Sequence, residues 1–114
     1  MGFRNLPTDE ARPIAGLIES RQGQVSSMAL ASGGAVDFML MAFAAGESVS
    51  EEEYFGGTLY QVVEGMADVV LPDRRVAVAA GEAFMVPAHI PHAVEGYEGS
   101  AFKIMQLTIP EERK

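Results

Sequence analysis

Two histidines and three tyrosines hold much of the reactive potential of this chain. His92 stands directly after Pro91 in the stretch "GEAFMVPAHIPHAV" (81–94). The proline fixes the backbone before it, so the imidazole is presented from a rigid corner. Histidine titrates near neutrality, which suits His92 to act as a general base or a metal ligand. His89 reads as an exposed turn residue. Tyr54 and Tyr60 can donate a proton or orient a ligand, and an aromatic in a small domain is also packing material. Glu52 is the middle of three consecutive glutamates in "GESVSEEEYFGGTLYQVVEG" (46–65). Carboxylates bind Zn, Mn, Fe and Mg, so Glu52 and His92 could begin a ligand set. A stable site needs three or four ligands, and Tyr54 and Thr58 are poor ones. Glu51 and Glu53 alternate away from Glu52 in an extended chain, and an acidic run is also an ordinary solvated loop. With two histidines in the chain, a three-histidine centre within one subunit is arithmetically impossible.

Other chemistries are absent from the sequence. There is no G-x-S-x-G, no P-loop and no H-E-x-x-H. The chain has no cysteine, which removes disulfides, iron–sulfur clusters and thiol catalysis and makes the cytoplasm the expected compartment. The net charge is −8, with Lys and Arg dispersed, so no nucleic-acid partner is expected. No membrane association is expected either. The longest apolar run, "FMLMAFAA" (38–45), is far shorter than the ~20 residues of a membrane helix. The beginning, "MGFRNLPTDE", lacks the apolar core of a secretory signal, and Leu6 stands where a myristoylation signal needs Ser or Thr.

The elements that position these residues read as β. The length of 114 residues suggests one domain. Residues 1–24 are expected to be an N-terminal arm that packs on the barrel or on a partner, with "PIAGLIES" (13–20) a short helix or a strand. Residues 25–114 are expected to form the barrel. Strands are expected over 25–32, 35–43, 58–64, 66–71, 74–80, 82–87, 92–97 and 100–109, separated by glycines and the Pro72-Asp73 turn. The 35–43 strand is apolar on both faces apart from Asp37, as a strand between two layers should be. The 66–71 and 74–80 runs read as a hairpin. Twelve glycines leave no room for long helices. The fold class expected is all-β, an antiparallel jelly-roll barrel.

Strand parity sorts the faces. If Thr58 faces the barrel interior, Tyr60 and Val62 do too, while Leu59, Gln61 and Val63 face the other layer. His92 and Val94 share the interior from the opposite sheet. Phe102, Ile104 and Gln106 are candidates for its base. The seven methionines suit a soft pocket wall.

The 81–94 stretch resembles the second motif of the cupin family: Gly, five residues, Pro, one residue, Gly, two residues, His. Gly81, Pro87 and His92 match, and His89 stands at the second glycine. That position often needs positive φ, which histidine tolerates better than most residues. The 46–65 stretch resembles the first cupin motif by its frame, Gly46 and "VVEG". Its two histidine positions hold Glu52 and Tyr54, and its glutamate position holds Thr58, or Leu59 with the longer spacing. The resemblance covers roughly residues 35–109. It implies a small double-stranded β-helix with its mouth lined by the two motifs, and a homodimer paired through its sheets. Family activities include dioxygenases, decarboxylases, epimerases, isomerases and binders, so the fold alone does not choose the chemistry.

The leading expectation is a cupin that binds a small organic ligand in a pocket lined by Thr58, Val62, Val94, Phe102, Ile104 and Gln106, with no resident cofactor. One alternative is a metal-dependent oxygenase, isomerase or decarboxylase holding a single Zn, Ni, Fe or Mn on Glu52 and His92. Another is a metal-independent epimerase or isomerase, with His92 as base and Tyr60 or Tyr54 as acid.

Overall fold

The β-branched runs and the glycines between them become eight antiparallel strands in the computed structural model, which describes residues 2–31, 33 and 36–110. They are β1 Val25–Ala31, β2 Asp37–Phe43, β3 Ser48–Glu52, β4 Gly56–Val70, β5 Arg75–Ala79, β6 Ala83–Val86, β7 His92–Gly96 and β8 Phe102–Pro110. One curled sheet runs in the order β1-β2-β8-β4-β7-β3, with β5 and β6 paired to β4 beside that path. This is the all-β, jelly-roll architecture read from the sequence. Met1, Ser32, Gly34, Ala35 and residues 111–114 lie outside the described residues, so parts of the expected arm, of the Gly33-Gly34 turn and of the barrel's end do too.

Two strand expectations change. Residues 58–64 and 66–71 are not separate strands: β4 runs unbroken for 15 residues through Gly65. Its first half pairs with β8 and β6, and its second half with β7 and β5. The register shifts between Val62 and Glu64, opposite Ile104 and Lys103. This bulge inserts one residue and reverses the side-chain parity. Thr58, Tyr60 and Val62 are buried before it, and Ala67 and Val69 after it, so both halves serve one core. Gly65, at φ 79°, absorbs the bend, and a Cβ there would lie 2.7 Å from the Ala101 carbonyl oxygen. The second change is β3, within the acidic stretch read as a loop. Its pattern is mostly exposed, so no hydrophobic alternation announces it.

Two apolar clusters stabilise the sheet from its two faces. The main one fills the barrel with Phe43, Tyr60, Val62, Val69, Val86, Val94, Phe102 and Ile104 among others. The second lies outside, where Ile18 packs on Leu30, Leu40 and Ala42, joined by Ile14 and Leu17. The two faces of β2 therefore serve both layers, as its apolar run implies. The 13–20 segment resolves as a 3-10 turn over Ile14–Leu17. Lys103 Nζ donates to the Ala15 carbonyl at 2.8 Å, and Phe3 bridges Ala31, so the arm is docked on the sheet. On the β4–β7 surface Asp68 stands opposite Glu95. Like charges facing across a ladder repel, and Arg75 pairs with both.

Candidate functional site

Pro91 ends the loop after β6, and β7 begins at His92. β3 ends at Glu52, which pairs in register with His92. The loop between β3 and β4 then carries Tyr54 back over the barrel. The two motif loops are tied together: His89 N–H donates to the Tyr54 carbonyl at 2.9 Å, and Phe55 meets the His89 ring edge-on at 5.9 Å. His89 has φ 66°, the left-handed conformation its motif position asks for. It is exposed, as a turn residue is expected to be, and lies 3.7 Å from Glu53.

These elements converge on His92, which is 3% exposed. Its Nδ1 lies 2.8 Å from the Ile90 carbonyl oxygen, which can only accept. Nδ1 therefore carries the proton. In the neutral ring Nε2 is then the acceptor, and it receives the Tyr60 hydroxyl at 2.7 Å. Both ring nitrogens are satisfied within the protein. The Tyr54 ring lies 5.6 Å from the imidazole, and the Tyr60 ring 5.5 Å. Burial pushes the Tyr54 phenol up, and its hydrogen bond to the Glu52 carboxylate adds to this, while Gln106 pulls the other way. Burial also pushes the Tyr60 phenol well above its ordinary value, followed by the negative charge available at Tyr54 and Glu52. The structure thus brings His92, Tyr60, Tyr54, Glu52 and Gln106 into one polar cluster.

The other candidates lie in the packed interior. Thr58 is fully buried and shares a hydrogen bond with Thr108 at 3.1 Å. Thr58, Tyr60 and Val62 pair with Thr108, Gln106 and Ile104, which fixes the parity of β8 and turns Ile104 and Gln106 inward. Val62, Phe102 and Ile104 are each 1% exposed and Val94 is 4% exposed. These side chains fill the interior, and the described cavities are lined by other residues. One is a groove of 460 Å³ between the β4–β5 turn and β6, bounded by Leu71, Phe84, Val86 and Ile90. None of these four carries a local signal in the sequence. Only the Pro72 and Pro87 turn signals flank them, because a groove between distant segments has no local signature.

The donor set does not fit a cupin-type metal. Among the described residues no group of three or more His, Cys, Asp and Glu could hold one. Of the four motif positions, Thr58 is committed to Thr108, Leu59 points out of the sheet at 37% exposure, and the His92 Nε2 lone pair is used by Tyr60. Glu52 and His92 are neighbours, but Glu52 is exposed where His92 is buried.

Known structures share this architecture. A crystal structure of a cupin superfamily protein from Desulfitobacterium hafniense is 44% identical, covering 97% of this chain and 100% of that one, with a TM-score of 0.92. The chain belongs to the cupin superfamily. A cupin 2 conserved barrel domain protein from Leptotrichia buccalis matches at 28% identity and TM-score 0.79, over 84% of this cupin and 46% of that chain. A Streptococcus pyogenes protein of unknown function shares the fold at 19% identity and TM-score 0.89, over 99% and 97% of the two chains. No family model matches the sequence, and no curated protein does. No helix among the described residues is long and apolar enough to cross a membrane.

Tyr60 is expected to make this cupin sensitive to alkali. Its folded pKa is raised above the unfolded value of 10.0, so the protonated phenol is what the fold favours. That stability is fully present below pH 10 and is lost as the pH rises from there toward the folded pKa. Wild-type stability is therefore expected to fall as the pH rises above 10, and Tyr60→Phe to flatten the fall. Urea melts of both proteins across this range check it, and parallel pH profiles would contradict it.

Proposed function

We propose that this cupin binds a small organic ligand at its barrel mouth through hydrogen bonds from the His92 cluster, without a resident metal. The observation that carries the reading is the pairing of His92 Nε2 with the Tyr60 hydroxyl at 2.7 Å while Nδ1 is held by Ile90. The nitrogen that would face a metal is an acceptor already in use. A ligand hydroxyl can replace Tyr60 as the donor to Nε2 at little cost, because one hydrogen bond replaces another, and the freed Tyr60 hydroxyl can donate to a ligand carbonyl. Tyr54, half-buried beside it, supplies a ring face and a hydroxyl.

A second reading rests on the same pair. His92 would take a substrate proton and Tyr60 or Tyr54 would give one, once the substrate displaces the hydrogen bond that His92 and Tyr60 now share. Substrate-dependent exchange of carbon-bound hydrogen for deuterium, lost in His92→Gln, would favour catalysis over binding alone. The metal-dependent alternative would rest on Glu52 and His92 alone.

We also infer a homodimer. Leu59 and Ile109 are exposed at 37% and 53% on the neighbouring strands β4 and β8, and Leu59 pairs in register with Leu107. Such a contiguous apolar strip is the kind of surface that pairs with a second copy. The expected compartment is the cytoplasm.

Protein purified without chelator tests both inferences. Elemental analysis is expected to find no stoichiometric transition metal, and chelator is expected to leave the melting temperature unchanged. One tightly held metal per chain, lost in Glu52→Ala, would establish the metal-dependent alternative instead. Light scattering on the same sample is expected to give twice the 12.2 kDa chain mass.

A further inference from the structure

We infer that the groove between the β4–β5 turn and β6 is a binding site for a small, uncharged, apolar molecule, separate from the polar His92 cluster. Three observations carry it. The first is a firm apolar wall. Leu71 and Phe84 pack against the main core, and Val86 is 1% exposed, so the core itself holds the groove in shape. Its volume of 460 Å³ lies within the roughly 300–1,000 Å³ of small-molecule sites.

The second is the exposed apolar surface at its edges. Met85 and Ile90 line the groove and are 53% and 37% exposed. Pro72 and Pro87 also border it, and proline offers no N–H to water or to a polar ligand. An occupant would cover apolar surface that water now contacts, and removing such surface from water favours binding.

The third is charge. The charged side chains lining the groove are Asp73 and Arg74, and they pair with each other at 3.5 Å while more than half exposed. An anion would have to displace Asp73 from Arg74 and approach a chain of net charge −8. A cation would find the one lining carboxylate already paired. An uncharged molecule meets neither obstacle. β6 is an edge strand of four residues, too short a ladder for an extended peptide to gain much by pairing along it.

The groove adjoins the polar cluster through one residue. The Ile90 side chain lines the groove, and its carbonyl accepts the His92 Nδ1 proton. The two sites share this residue without sharing a recognition chemistry, so the groove does not depend on the His92 cluster having a ligand.

The test uses N-phenyl-1-naphthylamine, an uncharged fluorophore that brightens in apolar surroundings. Saturable binding of one molecule per chain is expected. Ile90→Glu places a charge in the groove and is expected to weaken binding about tenfold or more. Met85→Lys, at an exposed position that should not disturb folding, is expected to weaken it as well. Val25→Glu, on β1 and outside the groove lining, is expected to leave binding unchanged. Non-saturable fluorescence, or equal binding to wild type and both groove variants, would overturn the proposal. So would loss of binding as protein concentration rises, since a second copy would then occupy the groove. The fluorophore reports the groove, and the His92 ring nitrogen shifts report the cluster, so either site can fail without the other.

Discussion

Phe102→Ala is expected to destabilise the protein by about 3–5 kcal/mol, the usual effect of removing a buried aromatic ring. Phe102 is 1% exposed and stacks on Phe43, with ring centroids 4.4 Å apart and an interplanar angle of 12°. The two are register partners across β2 and β8, and Gly65 of β4 also pairs with Phe102. The substitution removes apolar area from the core and leaves a cavity. The surrounding strands cannot collapse into it, because Gly65 and Phe43 are themselves held by their ladders. The stacking adds about 0.5–1.5 kcal/mol beyond the burial. Domains of this kind have about 5–15 kcal/mol in total, so much of the stability is at stake. Urea denaturation at neutral pH measures it. A loss below about 1 kcal/mol would mean that the ring is not packed as described.

Gly96→Ala is the second large effect, expected at about 3 kcal/mol, the upper end for overpacking a rigid site. Gly96 has φ −70° and ψ 141°, an ordinary extended conformation open to any residue. The obstacle is space. A Cβ there would lie 1.8 Å from the Ser100 carbonyl oxygen and 2.9 Å from its carbonyl carbon. The chain doubles back through the 3-10 turn Tyr97–Gly99, closed by Ser100 N–H donating to the Tyr97 carbonyl at 3.0 Å and by the Ser100 hydroxyl donating to it at 2.7 Å. Either that turn opens or β7 shifts, and β7 carries His92 at its other end. The variant should therefore also move the His92 ring resonances. Gly16→Ala is the control: nothing lies within 4 Å of its Cβ position, and its stability change is expected within about 0.5 kcal/mol. Equal melting temperatures for Gly96→Ala and Gly16→Ala would refute the steric account.

Particular residues mark how much was legible beforehand. Turn residues and β-branched runs are local signals, so six strands, β5 of the hairpin among them, could be placed to within a few residues. The motif frames at Gly46, Gly65, Gly81, Pro87 and His92 encode backbone geometry, so they pointed to the cupin barrel even with the ligand positions replaced. β3 escaped because its side chains are mostly exposed and polar, which is also how a loop reads. The unbroken β4 escaped because a glycine in a strand usually signals a turn, and only the long-range pairing with β8 and β7 shows that Gly65 is a bend.

The sequence by itself determined the all-β fold class and that the groups at Thr58, Tyr60 and Val62 share one face. Composition, periodicity and turn chemistry are properties of the chain taken locally, and they suffice for those conclusions. Only the tertiary structure decided what the groups do to one another. His92 and Tyr60 are 32 residues apart, and the hydrogen bond between them exists because β4 and β7 curl to the same mouth. The space denied to a Cβ at Gly96 and the groove beside Ile90 are likewise relations between distant segments. Such relations depend on how strands curve and pack, and strand curvature is set by the whole sheet rather than by any stretch of sequence.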